Sequence, residues 1–147
     1  MKLPSDLRGF RLGGVVPFVA WTLFVWGTRF RNAASDEELA GSELVTAYLA
    51  AGVFVALGLA VGAVVLLRRR QEVGRLDAVV VGGAAAFTVV YWLIRMVTIA
   101  LNDHRVGFIL VHVVLGLVSI LVSAFALRSV GASKNDTGSS IRAWDSP

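Results

Sequence analysis

Apolar residues fall in four long runs, roughly Leu12–Thr28, Leu44–Leu67, Ala78–Leu101 and Val106–Leu127, separated by short polar connections. A bilayer core of about 30 Å takes about 20 helical residues, and these runs meet or approach that length. In lipid every backbone N–H and C=O must be satisfied within the segment, so each run predicts a helix. The pattern predicts an all-α polytopic membrane protein, with four transmembrane helices in an up-down bundle over 1–130. A Ser-, Gly-, Asp- and Asn-rich stretch, 131–147, predicts a disordered cytoplasmic tail.

Lys2, Arg8 and Arg11 before the first run give it the look of a signal peptide, but Trp21, Trp26, Arg29 and Arg31 and the lack of a good small-x-small site favour a retained helix. The cations set the orientation. Lys2, Arg8 and Arg11, then Arg68, Arg69, Arg70 and Arg75, then Arg128, Lys134 and Arg142 share one side, against Arg29, Arg31 and Arg105 on the other. Both termini are therefore expected in the cytoplasm, and the protein as a multi-pass component of the plasma membrane. Arg68, Arg69, Arg70 and Arg75 are candidate lipid-facing cations on the inner side, with topology determination as their plainer role. In the first outer connection Ser35 precedes Asp36, Glu37 and Glu38, a pattern that fits either a helix N-cap or a solvated acidic loop.

Helices in lipid associate through small residues that allow close approach. The second run offers Gly52, Gly58 and Gly62, and the third opens with Gly82, Gly83 and three alanines. These seams suit the bundle or a homodimer equally. Pro17, early in the first run, predicts a kink or a late helix start.

Polar residues then pick out two faces. Thr88, Tyr91, Arg95, Thr98 and Asn102 are spaced to fall within about an 80° arc of one helix, and His112, Gly116, Ser119 and Ser123 within about 60° of the next. Both stripes are expected to face protein. Arg95 and His112 each lie seven residues from the connection between these helices, about 10 Å below the outer boundary, and are expected at one level. An Arg in the membrane costs about 2.5–3.5 kcal/mol and usually marks function. It can also snorkel to the headgroups, and a His can simply bond a neighbouring helix. The functional alternative is an outer-leaflet pocket formed by Arg95, His112, Arg29, Asn102, Thr98 and Trp92, with Glu43 or Asp103 as counter-ion and Trp21, Trp26 and Tyr91 as further walls. Such a pocket would suit an anionic headgroup or a quinone carbonyl.

Composition removes other chemistry. Hydrophobic residues make up 56% of the chain and charged ones 16%, with no Cys and two His, so thiolate sites and a bis-His haem within one chain are excluded. A mean hydropathy of +0.74 fits lipid. The net charge of +4 sits at helix ends, where it suits headgroups rather than nucleic acid. No HExxH, P-loop or GxSxG is present, and His112 is the one candidate acid or base. Neither a metal nor a cofactor is expected. The small multidrug-resistance transporters share this size, but their first helix carries a Glu that this one lacks.

WTLFVWGTRFRN (Trp21–Asn32) and NDHRVGFILVH (Asn102–His112), in an Ala-, Val-, Gly- and Arg-rich chain, resemble small four-helix membrane proteins of high-GC actinobacteria. The resemblance implies a bacterial plasma-membrane location and brings no catalytic residues. The leading expectation is a non-catalytic scaffold or accessory subunit of a larger membrane complex, packing through Gly52, Gly58, Gly62, Gly116, Ser119 and Ser123. The alternative is binding or transport of an anionic lipid or quinone at Arg95 and His112. Expected partners are membrane lipids, a second copy or a larger membrane complex.

Overall fold

The computed structural model describes residues 13–37, 40–68, 74–102 and 105–142, with side chains through 130. Over these the chain forms four helices, α1 (Val16–Ser35), α2 (Gly41–Leu67), α3 (Arg75–Ala100) and α4 (Val106–Arg142), and no strand. Gly41–Leu67, Arg75–Ala100 and Val106–Val130 are long and apolar enough to cross a membrane. α1 is not among them, because Arg29, Arg31 and Asn32 lie inside the helix rather than beyond its end.

The helix boundaries have local causes. Pro17 sits in the first turn of α1, where its missing N–H has no helical partner to lose. Ser35 does not cap α2. It is the last residue of α1, and its hydroxyl donates back to the Arg31 and Asn32 carbonyls at 3.3 and 3.2 Å. α2 starts instead at Gly41, whose φ of +56° is the one positive value among the described residues and favours glycine. At the opposite end, Asp77 in the first turn of α3 joins two helices. Its Oδ2 accepts the Gly74 N–H at 2.8 Å and pairs with Arg68 Nε, at the end of α2, at 2.9 Å. Arg68 thus has a partner within the chain, while its side chain stays 39% exposed. Arg75 is exposed, and Arg69 and Arg70 lie outside the described residues. The α4 backbone is helical through Arg142, past the Leu127 boundary and into the stretch whose composition suggests a disordered tail.

α1 packs closely on α2, and α3 on α4, giving two antiparallel hairpins that join through lighter α1–α4 and α2–α3 contacts. Glycines bring each pair together. A Cβ on Gly58 would lie 2.9 Å from Leu23 Cδ2 of α1, and one on Gly116 2.8 Å from Met96 Sδ and 3.1 Å from Trp92 Cε3 of α3. Gly62 meets Val19 at 3.4 Å, whereas Gly52 and Gly83 face open space. The GxxxG of α2 is therefore occupied by α1.

Two apolar clusters fill the interior. One, near the α2–α3 connection, joins Val15, Phe18, Val61, Val81, Ala85 and Ala126. The other, toward the opposite end, is built on Trp26, Ala51, Phe54 and Trp92. Leu49, Leu59, Leu66, Ile94, Leu117 and Phe125 point outward, forming the apolar perimeter that lipid chains would cover.

Candidate functional site

The C-terminal halves of α1 and α3 and the N-terminal halves of α2 and α4 share one end of the bundle. A cleft of about 620 Å³ opens there, lined from all four helices. Its floor is aromatic. Trp26 stacks flat on Phe54 at 4.0 Å between ring centroids, and Tyr91 meets both edge-on at 5.4 and 4.8 Å. Trp92 lies 6.4 Å from Trp26 and 6.2 Å from Tyr91. Each such pair adds about 0.5–1.5 kcal/mol beyond its buried area, so the floor is a fixed surface.

One turn farther out the lining turns polar and charged. Arg29, Arg95, His112, Glu43, Thr28 and Asn32 all border the cleft. Arg95 is half-buried, and Arg29 is exposed at the rim. Among the described residues the ion pair formed is Arg68–Asp77, and neither Arg29 nor Arg95 has a carboxylate at ion-pair distance. Glu43 lines the same cleft without pairing with either. Two guanidiniums against one carboxylate leave the cleft positive, and guanidinium forks match carboxylate and phosphate oxygens.

His112 is held by its own helix. Its Nδ1 lies 2.9 Å from the Phe108 carbonyl, which can only accept, so Nδ1 carries a proton and Nε2 is the ring's remaining polar atom. The Phe108 and His112 rings lie 4.0 Å apart. Among the described residues no three His, Cys, Asp or Glu side chains gather as a metal site.

The structure thus brings together Arg29, Glu43, Trp92, Arg95 and His112, with Trp26 and Tyr91 as walls. Others lie elsewhere. Thr98 and Asn102 are exposed and outside the lining, their side chains donating to the Arg95 and Thr98 carbonyls at 2.9 and 2.6 Å. The polar stripe of α3 therefore faces protein only as far as Arg95; beyond it the packed side of α3 is carried by Ile99, which is buried. Trp21 is not a wall either. Its Nε1–H donates to the Ser119 hydroxyl at 2.9 Å, one turn below the cleft. Ser119 and Ser123 are buried, and each donates to its own helix, at the Leu115 and Ser119 carbonyls respectively, both at 2.7 Å. Asp103 lies outside the described residues.

Trp92 is the unusual member. It is 4% exposed, and its Nε1 is the one buried side-chain nitrogen or oxygen without a hydrogen-bond partner among the described residues. Leaving such a donor unmet costs about 1–3 kcal/mol. The indole packs closely on α4: a Cβ on Gly116 would lie 3.1 Å from its Cε3.

Sequence reasoning missed Asp77 as a structural residue. Its signal was present, since an acid three residues after Gly74 at the start of an apolar run has capping-box spacing. Phe54, an ordinary apolar residue of α2, gave no sign that it would carry the stacked floor.

Compared with known protein families, curated proteins and solved structures, the chain matches none.

Proposed function

We propose that this is a non-catalytic membrane protein that binds an anionic lipid headgroup in the cleft, with Arg95 and Arg29 as the anion-binding groups. The observation that carries the reading is the pair of guanidiniums without a carboxylate partner among the described residues, set over an aromatic floor. A counter-charge stabilises a half-buried Arg in a membrane helix, and the described part of the chain gives Arg95 none.

Lipid is favoured over a water-soluble anion by the walls. Phe24 of α1 and Val111 of α4 line the cleft and are 63% and 56% exposed on the outer surface. Below them the α1–α4 seam is closed by Trp21 and Ser119. The cleft's lining thus reaches the apolar perimeter at Phe24 and Val111.

In this reading α1 also crosses the bilayer, its arginines at the headgroups, and both termini are cytoplasmic. That places the cleft in the outer leaflet of a bacterial plasma membrane, as the cation distribution and the resemblance to actinobacterial four-helix proteins suggest. The scaffold or accessory-subunit reading is less favoured by the packing, because Gly58, Gly62 and Gly116 are occupied within the chain. It rests on Gly52 and Gly83, which have open space.

Thermal unfolding in neutral detergent tests the proposal. Added phosphatidylglycerol should raise Tm more than phosphatidylcholine does. The difference should vanish in the Arg29→Leu/Arg95→Leu double variant. Equal shifts for the two lipids in the wild type would refute it.

A further inference from the structure

Resting on the anionic-lipid reading, we infer that the bound headgroup carries hydroxyls beyond its phosphate and that Glu43 reads them. The class of ligand is then a polyol phospholipid with one negative charge. Arg29 and Arg95 hold its phosphate, and the Glu43 carboxylate accepts from its outer hydroxyls.

The cleft is graded along its depth. Trp26 stacks on Phe54 at the floor, and Tyr91 meets both rings. Arg29 is three residues outward from Trp26 on α1, and Arg95 is four outward from Tyr91 on α3, so the two cations stand at nearly one level. Glu43 is eleven residues outward from Phe54 on α2. At 1.5 Å per residue its backbone stands about 10–12 Å farther out than those of the arginines. That offset accounts for a carboxylate that lines the same cleft and pairs with neither cation. The long side chains shorten the gap, and a headgroup that continues past its phosphate bridges it.

The polar lining around this path is rich in acceptors. Thr28 donates its hydroxyl proton to the Phe24 and Val25 carbonyls, both at 2.8 Å, and Thr46 donates to the Ser42 carbonyl at 2.7 Å. Both hydroxyl oxygens are left as acceptors, as is the Glu43 carboxylate, and all three residues line the cleft. Glu43 repels an anion at this mouth unless the anion brings hydrogen-bond donors of its own.

Charge decides between the two common donors, hydroxyl and ammonium. Arg29, Arg95 and Glu43 together leave one positive charge in the cleft. A phosphodiester bearing a polyol carries one negative charge and balances it. A phosphodiester bearing an ammonium is neutral and does not. Glu43 also lies in the first turn of α2, where a carboxylate favours the helix end. That role affects stability with any lipid and does not separate two lipids of equal charge.

The test is native mass spectrometry of the full-length protein titrated with phosphatidylglycerol, phosphatidylpropanol, phosphatidylethanolamine and phosphatidylcholine, with glycerophosphoglycerol as competitor. Phosphatidylpropanol keeps the chains, the phosphate and its charge, and replaces the glycerol headgroup by a propyl group without hydroxyls. The wild type should bind phosphatidylglycerol about tenfold more tightly than phosphatidylpropanol, the worth of one hydrogen bond to a charged group. In Glu43→Ala the two should bind alike, because phosphatidylpropanol is freed of the repulsion and phosphatidylglycerol loses its acceptor. Equal binding of these two by the wild type overturns the inference while leaving the anionic cleft standing, and it does so even if Glu43→Ala fails to fold. A tenfold preference that survives in Glu43→Ala overturns the role of Glu43. Tighter binding of phosphatidylethanolamine than of phosphatidylglycerol overturns the polyol in favour of an ammonium. Equal binding of phosphatidylglycerol and phosphatidylcholine overturns the reading on which the inference rests. Competition by glycerophosphoglycerol, the same headgroup without chains, as strong as by the whole lipid overturns the lipid source in favour of a soluble phosphodiester.

Discussion

Trp21 donates its indole N–H to the Ser119 hydroxyl at 2.9 Å, a bond between α1 and α4 just beneath the cleft. The same hydroxyl donates onward to the Leu115 carbonyl, so Ser119 is satisfied in both directions. The two hairpins meet only lightly at this seam, and the bond stands where the cleft ends and the packed interior begins. Interhelical hydrogen bonds in membranes average about 0.6 kcal/mol and reach about 1.7. A double-mutant cycle of Trp21→Phe and Ser119→Ala, read by unfolding in detergent, should give a coupling energy in that range. Additive losses would show that the two side chains do not act together.

Glycine substitutions should sort by what faces each Cα. Gly116→Ala places a methyl 3.1 Å from Trp92 Cε3, and that ring is boxed in by Trp26 and Tyr91. It should cost about 1–3 kcal/mol of stability. Gly58→Ala meets the flexible tip of Leu23 and should cost less. Gly83→Ala meets nothing within 4 Å and should stay within about 0.5 kcal/mol of wild type. Melting temperatures of the three variants in one detergent check the order.

The carboxylate at the opposite end offers a separate test. Asp77 Oδ2 holds both the Gly74 N–H and Arg68, fastening the start of α3 to the end of α2. Asp77→Ala should lose about 1–2 kcal/mol, most of it from the helix-start hydrogen bond, because the partly exposed Arg68 pair contributes little. Asp77→Asn keeps an acceptor for Gly74 and should lose less. Equal losses in the two variants would assign the effect to the ion pair.

The absence of Cys makes the orientation simple to measure, since any introduced thiol is unique. With both termini inside, Ser35→Cys in intact cells should react with a membrane-impermeant maleimide. Gly74→Cys should react only after the membrane is opened. Both positions are exposed in the fold, so accessibility is limited by the membrane alone. Labelling of Gly74→Cys in intact cells would invert the orientation and move the cleft to the inner leaflet.

Much of this arrangement could be read from the chain. The helix count follows from four apolar runs, and the grouping of Arg95, His112, Arg29, Trp92 and Glu43 follows from helical spacing and antiparallel neighbours. What could not be read depends on how far each helix extends. Arg29, Arg31 and Asn32 read as a loop because they are polar, yet α1 carries them to Ser35. Thr98 and Asn102 share a face with Arg95, but periodicity cannot say that beyond Arg95 the packed side of α3 passes to Ile99. The pairing of Arg68 with Asp77 could not be read either, because the partner comes from the far side of a connection. The unmet N–H of Trp92 was out of reach altogether, since partnership is a matter of tertiary contact.

The most direct test of the lipid-binding account is native mass spectrometry of the protein as purified in mild detergent, comparing wild type with Arg95→Leu and Arg105→Leu. Arg105 is exposed and outside the cleft, so its loss removes a charge without touching the site. The account predicts one tightly held anionic phospholipid on wild type and on Arg105→Leu, and its loss from Arg95→Leu. Equal lipid occupancy on all three, or none on any, would contradict it.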